Sequence, residues 1–574
     1  VTRRTRLALG LLSLFAFVSG CSDPAPPAPV MIDEGLDDEL QTPDPGGDKG
    51  PIIESVVRLI RDAATNPNGR NFDVATENLN AFFRDARPED FDLPEANRAF
   101  LNQQLAQVFP NAIPTITQRR FAQRDGRHIE DNLLYRAVAV RVAGEGDDLT
   151  RARRLFDYVV KHAMLVPPGA LAPPGIQQAQ ARPYDVLLRG MATEDGNGWS
   201  ERGWLFMVLC RQINLDCGLI TYTPPATIAG PMPTRRGLGP MSLTRAMEEA
   251  LPPNPEPRSW GVAVLVGGKP YMFDPAIGME IPSPDGKGVA TLEQAMTDPR
   301  VLSQLDLPGR PYQPSQVELA ASSFRVALES SLGTLSPKMK LFQDNLKGEN
   351  RMILYRDPLE QVAAFKAAIG PKCAGVGLWL LPLTVEYRLF NPGPGNFVDA
   401  TLFPLRPFEA TWPLLGARLL QLRGETAAAI QSYVVFRFAE SAMDTEGKKP
   451  IPPQVQGVLD IFATYYLALS QMEKGDGDKA KFLFGKAMDM LPEPTPRQPY
   501  FVMFRWGAMT NLGLLNAENG NRALAIRCLA REIPTMQMRG NLLRARALIF
   551  KDPFVPPSDT PKVPPPLKMP GAPG

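Results

Sequence analysis

The strongest apolar pattern in the chain lies between residues 198 and 216. Nearly every position from Trp204 to Leu209 is apolar, which predicts a helix buried on all sides. Further on, residues 258–266 form an apolar run, Gly267 and Gly268 supply a two-residue turn, and residues 270–275 form a second run. That order predicts a strand, a tight hairpin turn and a second strand. Before this region, helical spacing of apolar residues predicts helices over 52–64, 73–83, 93–107 and 149–162. The last of these carries its stripe on Ala152, Leu155, Phe156, Val159 and Val160. Between 310 and 400 the pattern mixes. Residues 316–332 read partly as strand and 359–369 as helix, while the proline within 378–385 leaves helix and strand both open. From about residue 411 the texture changes to helical pairs. Ala468 and Ala480 lie where two helices cross closely and only small side chains fit. The same spacing recurs at Ala417 with Ala429 and at Gly513 with Ala525. A glycine-containing turn sits inside each pair, at Gly424, Gly475 to Gly477, and Gly520.

Composition narrows the chemistry more than the fold. The chain has 574 residues, enough for several domains, and 44% of them are hydrophobic. Lys and Arg number 62 against 61 Asp and Glu, so charge makes no case for nucleic acid as a partner. Only two histidines occur, His128 and His162. Both read as partly exposed residues rather than ligands, His162 suiting the C-terminal end of its helix as a cation. The five cysteines contain no CxxC pair, so no metal site is expected and no cofactor is implied. Cys210 and Cys217 would lie ~10 Å apart on one helix, too far to bridge, and read as core residues.

The first residues carry an address. Arg3, Arg4 and Arg6 precede an apolar run from 7 to 18 that is too short to span a bilayer, and the run ends in Val18-Ser19-Gly20-Cys21. This resembles the bacterial lipobox, which implies cleavage before Cys21 and acylation of its thiol. Acyl chains gain about 0.8 kcal/mol per buried methylene, so several on one residue hold a protein to a membrane. Ser22 after the cysteine is compatible with outer-membrane sorting. Residues 22 to 50 are rich in Pro, Gly and acids and read as a disordered tether.

The middle of the chain resembles the bacterial transglutaminase-like domain, a papain-like thiol-enzyme fold. Residues 156–160 look like its opening helix and 198–219 like its nucleophile helix. Trp260, Gly267, Gly268, Asp274 and Pro275 match its hairpin. The family needs a cysteine, a histidine and an aspartate in that chain order. Here the cysteine position falls on Trp199 or Ser200 and the histidine position on Arg258. Only Asp274 survives, and no histidine follows residue 162. The resemblance therefore implies an inactive domain with no catalytic residue, whose remnant cleft comprises Trp199, Ser200, Arg258, Trp260 and Asp274. An Arg258–Asp274 ion pair is expected in place of the His–Asp pair. Glu201, Arg202 and Arg211 are further candidates for that cleft, and 223–258 reads as a long loop over its mouth. Residues 461–492 resemble a tetratricopeptide repeat, whose surfaces bind peptide or protein; a bundle packed on the middle domain is the competing reading.

The expected architecture is α+β. A papain-like, transglutaminase-like core of helix plus antiparallel sheet (131–310) is flanked by a helical N-terminal region (51–130) and a C-terminal helical repeat domain (406–550). Residues 1–20 are a signal peptide, 21–50 the tether, 311–405 a mixed linking region and 551–574 a Pro-rich tail. The function this implies is a lipid-anchored scaffold or binding lipoprotein of the bacterial envelope. Its expected partners are the membrane, through Cys21, and envelope proteins or peptides. The rival reading is an envelope peptidase or acyltransferase with a non-standard site.

Overall fold

The computed structural model describes residues 50–63, 70–167, 180–193, 200–225, 257–390, 413–438, 453–491 and 499–550. The signal peptide, Cys21, the tether, Trp199, most of the 223–258 loop and the Pro-rich tail lie outside the described residues.

In chain order the N-terminal part gives α1 (Gly50–Ala63), α2 (Asn71–Phe82) and α3 (Glu95–Leu105), then the long α4 (Gln123–Ala143) and α5 (Asp148–His162). Next come β1 (Met164–Val166), α6 (Pro183–Arg189), β2 (Met191–Thr193) and α7 (Ser200–Gln212). The sheet strands are β3 (Cys217–Thr223), β4 (Arg258–Val266), β5 (Lys269–Asp274), β6 (Met279–Glu280), β7 (Ser323–Leu328) and β8 (Cys373–Leu378). Before and after β8 lie α8 (Pro337–Asn345), α9 (Pro358–Ile369) and α10 (Leu380–Phe390). The helical pairs are α11 (Pro413–Arg423) with α12 (Thr426–Phe438), α13 (Pro453–Glu473) with α14 (Gly477–Met490), and α15 (Pro499–Glu518) with α16 (Arg522–Leu529). The last helix is α17 (Gln537–Phe550).

The structure is thus a mixture of helix and sheet. Its main sheet has six strands in the order β6-β5-β4-β3-β7-β8, antiparallel except for the β7–β8 pair. Gly267 and Gly268 make the β4–β5 turn with φ of 56° and 73°, the left-handed conformation a two-residue hairpin loop needs. The open segment 378–385 resolves into both elements, because β8 ends at Leu378 and Pro382 falls in the first turn of α10, where its missing N–H costs nothing. Residues 316–332 divide likewise into a short helix, Gln316–Ala321, and β7.

The sheet separates two apolar cores. Val262, Val264 and Phe273 join the Trp204–Cys210 stretch of α7, while Ile220, Trp260, Ala263 and Met272 join a second core with Leu292, Tyr312 and Phe324. Strict alternation would put Trp260 on the α7 side with Val262. A β-bulge prevents this: Ile220 pairs with Gly261 and Thr221 with Ser259, leaving Trp260 as the extra residue. Gly261 is required here, since a Cβ would press on the Phe273 carbonyl oxygen at 2.5 Å.

The α7-side core continues into the C-terminal helices through Tyr433, Tyr465, Tyr466 and Phe504. Each first helix of a pair ends in the same motif. Gly424, Gly475 and Gly520 have φ of 90°, 84° and 72°. The following residue in each case donates its N–H five residues back: Glu425 to Leu420 (2.9 Å), Asp476 to Gln471 (2.9 Å), Asn521 to Asn516 (2.7 Å). This is the Schellman cap, repeated three times, and it explains the spaced glycines. The small residues at the crossings are buried as expected: Ala429, Ala468, Ala480 and Ala525 are each 0% exposed.

Candidate functional site

The inner layer of the helical pairs is spent on the sheet-bearing half of the molecule. A short helix such as α6 leaves its last carbonyls without partners. Arg418 of α11 supplies them, donating to the oxygens of Leu187 (2.6 Å) and Leu188 (3.2 Å), and Tyr466 of α13 donates to that of Arg189 (2.7 Å). The Arg418 guanidinium also lies 4.4 Å from the centre of the Tyr466 ring. Asn511 of α15 donates to the Lys161 oxygen near the end of α5 at 3.1 Å.

At the centre of this seam lies Glu473. Its Oε1 takes bonds from His162 Nε2 (3.0 Å) and Gln421 Nε2 (2.9 Å), and its Oε2 pairs with Arg141 at 2.5 Å. Burial opposes its ionisation, but the donated hydrogen bonds and the Arg141 charge outweigh burial and hold the carboxyl down at about 2. His162 is therefore not the partly exposed helix-end residue expected from its position. It is 3% exposed, stacked on Tyr158, and part of a cross-chain network that helix periodicity does not reveal. His128 is half-buried, in keeping with the partly exposed position expected of it. Its Nε2 lies 3.0 Å from the Leu354 oxygen, and burial pushes its pKa down to about 3, so the ring is neutral.

The residues expected to share a cleft are distributed as follows. Asp274, at the end of β5, accepts from the Tyr312 hydroxyl (2.6 Å) and from the amides of Ala276 (2.9 Å) and Ile277 (3.2 Å). Trp260 Nε1 donates to the same Tyr312 oxygen at 2.9 Å. Burial raises the Asp274 pKa despite these bonds. The ion pair expected between Arg258 and Asp274 is not made. Arg258 stands at the start of β4 and reaches Glu318 at 2.7 Å, while Tyr312 fills the space beside the aspartate. So the structure brings Trp260 and Asp274 together, through Tyr312, in the core on the far side of the sheet from α7. Ser200 opens α7, and its side chain lies outside the described residues.

The three neighbouring polar residues of α7 are also committed. Glu201 is fully buried; it accepts from the amides of Ala181 (2.7 Å) and Thr193 (2.8 Å) and pairs with Arg189 at 2.5 Å. Arg202 donates to the oxygens of Ala163 (2.7 Å) and Pro275 (3.1 Å) and to Gln537 Oε1 (2.5 Å). Arg211 binds Glu329 and Asn132 on the opposite side. Gln537 belongs to α17, which lies across the turn that follows Asp274. Gly540 of α17 meets the Ile277 carbonyl so closely that no Cβ fits, and Arg544 donates to the Gly278 oxygen. Tyr312, Glu318 and Gln537 were invisible to sequence reasoning, because each acts on a partner far away in the chain and none belongs to a motif. Cys210 and Cys217 are buried free thiols, as core residues should be. Burial pushes the Cys217 thiol well up from its ordinary value, away from reactivity.

Among the described residues no group of three or more His, Cys, Asp or Glu could hold a metal ion, and no helix is long and apolar enough to cross a membrane. No protein-family model, curated protein or solved structure matches the chain.

Proposed function

We propose that the protein is a lipid-anchored, extracytoplasmic binding or scaffold lipoprotein whose transglutaminase-like core serves as framework rather than catalyst. The observation that carries this reading is the environment of Asp274. An aspartate orienting a catalytic imidazole needs a free carboxylate oxygen facing that ring. Here Oδ1 faces two backbone amides and Oδ2 faces the Tyr312 hydroxyl rather than an imidazole, and the neighbouring strand offers Trp260 and Arg258 in place of a histidine. The short α17 helix adds a cover of side chains over the turn that follows. With the inner face of the helical pairs occupied, binding in this reading falls to the outer helices α12, α14 and α16.

Two measurements test it. Chain beginning at Ser22 is incubated with an amide acyl donor and an amine acceptor, beside an Asp274→Asn variant. Turnover at background in both is expected; turnover by the parent chain that Asp274→Asn abolishes would sink the framework reading. Cys21→Ala is expected to move the protein from the membrane pellet to the soluble fraction. Continued pelleting of the variant after a carbonate wash would remove the lipid anchor from the proposal.

A further inference from the structure

Large apolar side chains left in solvent are the exception in this protein, and several of them gather in one place. Tyr387 and Phe390 of α10 are 53% and 40% exposed, and Val108, just past the end of α3, is 54% exposed. Packing brings the two segments together. Leu105 of α3 and Leu383 of α10 share a small apolar core, with Phe109 and Ile113 at its edge. The Phe109 ring lies 6.0 Å from that of Tyr387, which sets Val108 beside α10. Phe390 follows Tyr387 by three positions, so the two rings share one face of the helix. A cluster of this kind on a surface calls for a covering partner.

The charge around this spot is of one sign. From Ala96 to Arg124 the chain holds four arginines and no carboxylate. Arg124 and Phe390 line the same cleft, and Arg124 donates to Gln118, which places the exposed Arg119 and Arg120 alongside. Arg388 of α10 is exposed as well. The carboxylates nearby are turned inward. Asp125 is buried against Lys338 at 2.7 Å, and Glu130 is buried against Arg127 at 3.2 Å. Glu386 accepts from the Leu332 amide at 2.8 Å.

Exposed aromatic and aliphatic side chains rimmed by arginines suit the boundary of a phospholipid bilayer. Rings settle among the headgroups, while guanidinium groups meet the lipid phosphates and their long stems cover apolar surface. We propose that this face docks on an anionic bilayer, with Val108, Tyr387 and Phe390 in the headgroup layer and Arg119, Arg120 and Arg124 on the phosphates. The proposal rests on the anchored reading above for the nearness of that bilayer. Residues 22–49 separate Cys21 from α1 and span at most ~90 Å, enough to let this face turn toward the membrane. Tethering gives lipid a high effective concentration at the body's surface, which favours it over an acidic protein as the partner. The contact is weak and reversible, because a few side chains hold a body to a bilayer only while a second signal keeps it there.

The test uses chain beginning at Ser22, which has no acyl group, floated with vesicles of phosphatidylcholine alone or of phosphatidylcholine with phosphatidylglycerol. Binding to the anionic vesicles only is expected, and its loss at about 1 M salt, where the Debye length falls to ~3 Å. An arginine near such a surface changes partitioning about fivefold, so an Arg119→Gln, Arg120→Gln chain should bind about twentyfold more weakly. Tyr387→Ser with Phe390→Ser should weaken binding while leaving its salt dependence in place. Hydrogen exchange on the parent chain needs no variant: vesicles should slow exchange over residues 106–120 and 384–390. Four results would each overturn the proposal: no binding to anionic vesicles, equal binding to phosphatidylcholine, protection confined to other segments, or unchanged affinity in a folded double-arginine variant. Binding of polyglutamate without binding of vesicles would assign the face to an acidic protein instead. A carbonate wash strips such a surface contact but not an acylated chain, so this proposal and the Cys21 anchor fail separately.

Discussion

Replacing Glu473 by alanine is expected to lower the unfolding free energy by about 3–5 kcal/mol, the usual cost of breaking a buried ion pair from one side. The size follows from what is left behind. Arg141 loses its only carboxylate partner among the described residues, and His162 and Gln421 lose the oxygen they share. Arg141 already has two buried guanidinium nitrogens without partners, so little is available to compensate. Glu473→Gln should cost less, since the amide oxygen still accepts from one donor. Acid supplies a second signature. The Glu473 carboxyl sits at about 2 in the folded chain against an ordinary value of 4.5. Its contribution is therefore complete above pH 4.5 and lost as pH falls from there toward 2. Urea melts of parent and variant at a series of pH values check both points. The gap between them should be widest near neutrality and close in acid. A gap below 1 kcal/mol at pH 7 would mean that Glu473 does not hold the seam.

Gly540→Ala should destabilise the chain by about 1–3 kcal/mol, the range for forcing volume into a packed site. The sign is the informative part. Inside a helix, alanine ordinarily stabilises relative to glycine by about 0.5–1 kcal/mol. Here the added methyl overlaps the Ile277 carbonyl oxygen, which is backbone and cannot rotate away. Relief requires α17 to lift, and that strains the Arg202–Gln537 bond and the bonds of Arg539 to the Leu305 and Pro311 oxygens. Thermal melting and hydrogen exchange over residues 537–550 give the measurement. Faster exchange confined to α17 with a lower melting temperature is expected; a stabilised variant would show that α17 does not bear on the turn after Asp274.

These two sites show where the sequence stops being readable. The helix α7, the hairpin with its paired glycines and the helices of the C-terminal pairs were all legible, because each depends on periodicity or on a backbone conformation only a few residue types tolerate. The side chains that matter at Asp274 were not. A one-residue bulge at Trp260 moves that indole across the sheet, and a hydrogen-bond register, rather than any local propensity, decides where the bulge falls. The His162 reading failed for a related reason. A histidine at the last turn of an amphipathic helix looks half-exposed until another helix, over three hundred residues later, brings Glu473 to it.

By itself, then, the sequence determined the run of elements: a helix apolar on every face must be buried, a Gly-Gly step between two apolar runs must turn, and a glycine after each long helix must cap it. It also determined that a histidine-dependent site could not form after residue 162, since the residue type is missing. Only the tertiary structure decided which charges meet. Arg258 found Glu318 rather than Asp274, Tyr312 took the aspartate, and the inner helices of the pairs turned toward the carbonyl ends of α5 and α6. Hydrophobic periodicity is a property of neighbours along the chain, whereas the pairing of a buried charge depends on whichever element packs nearest in space, and that is settled only when the whole core closes.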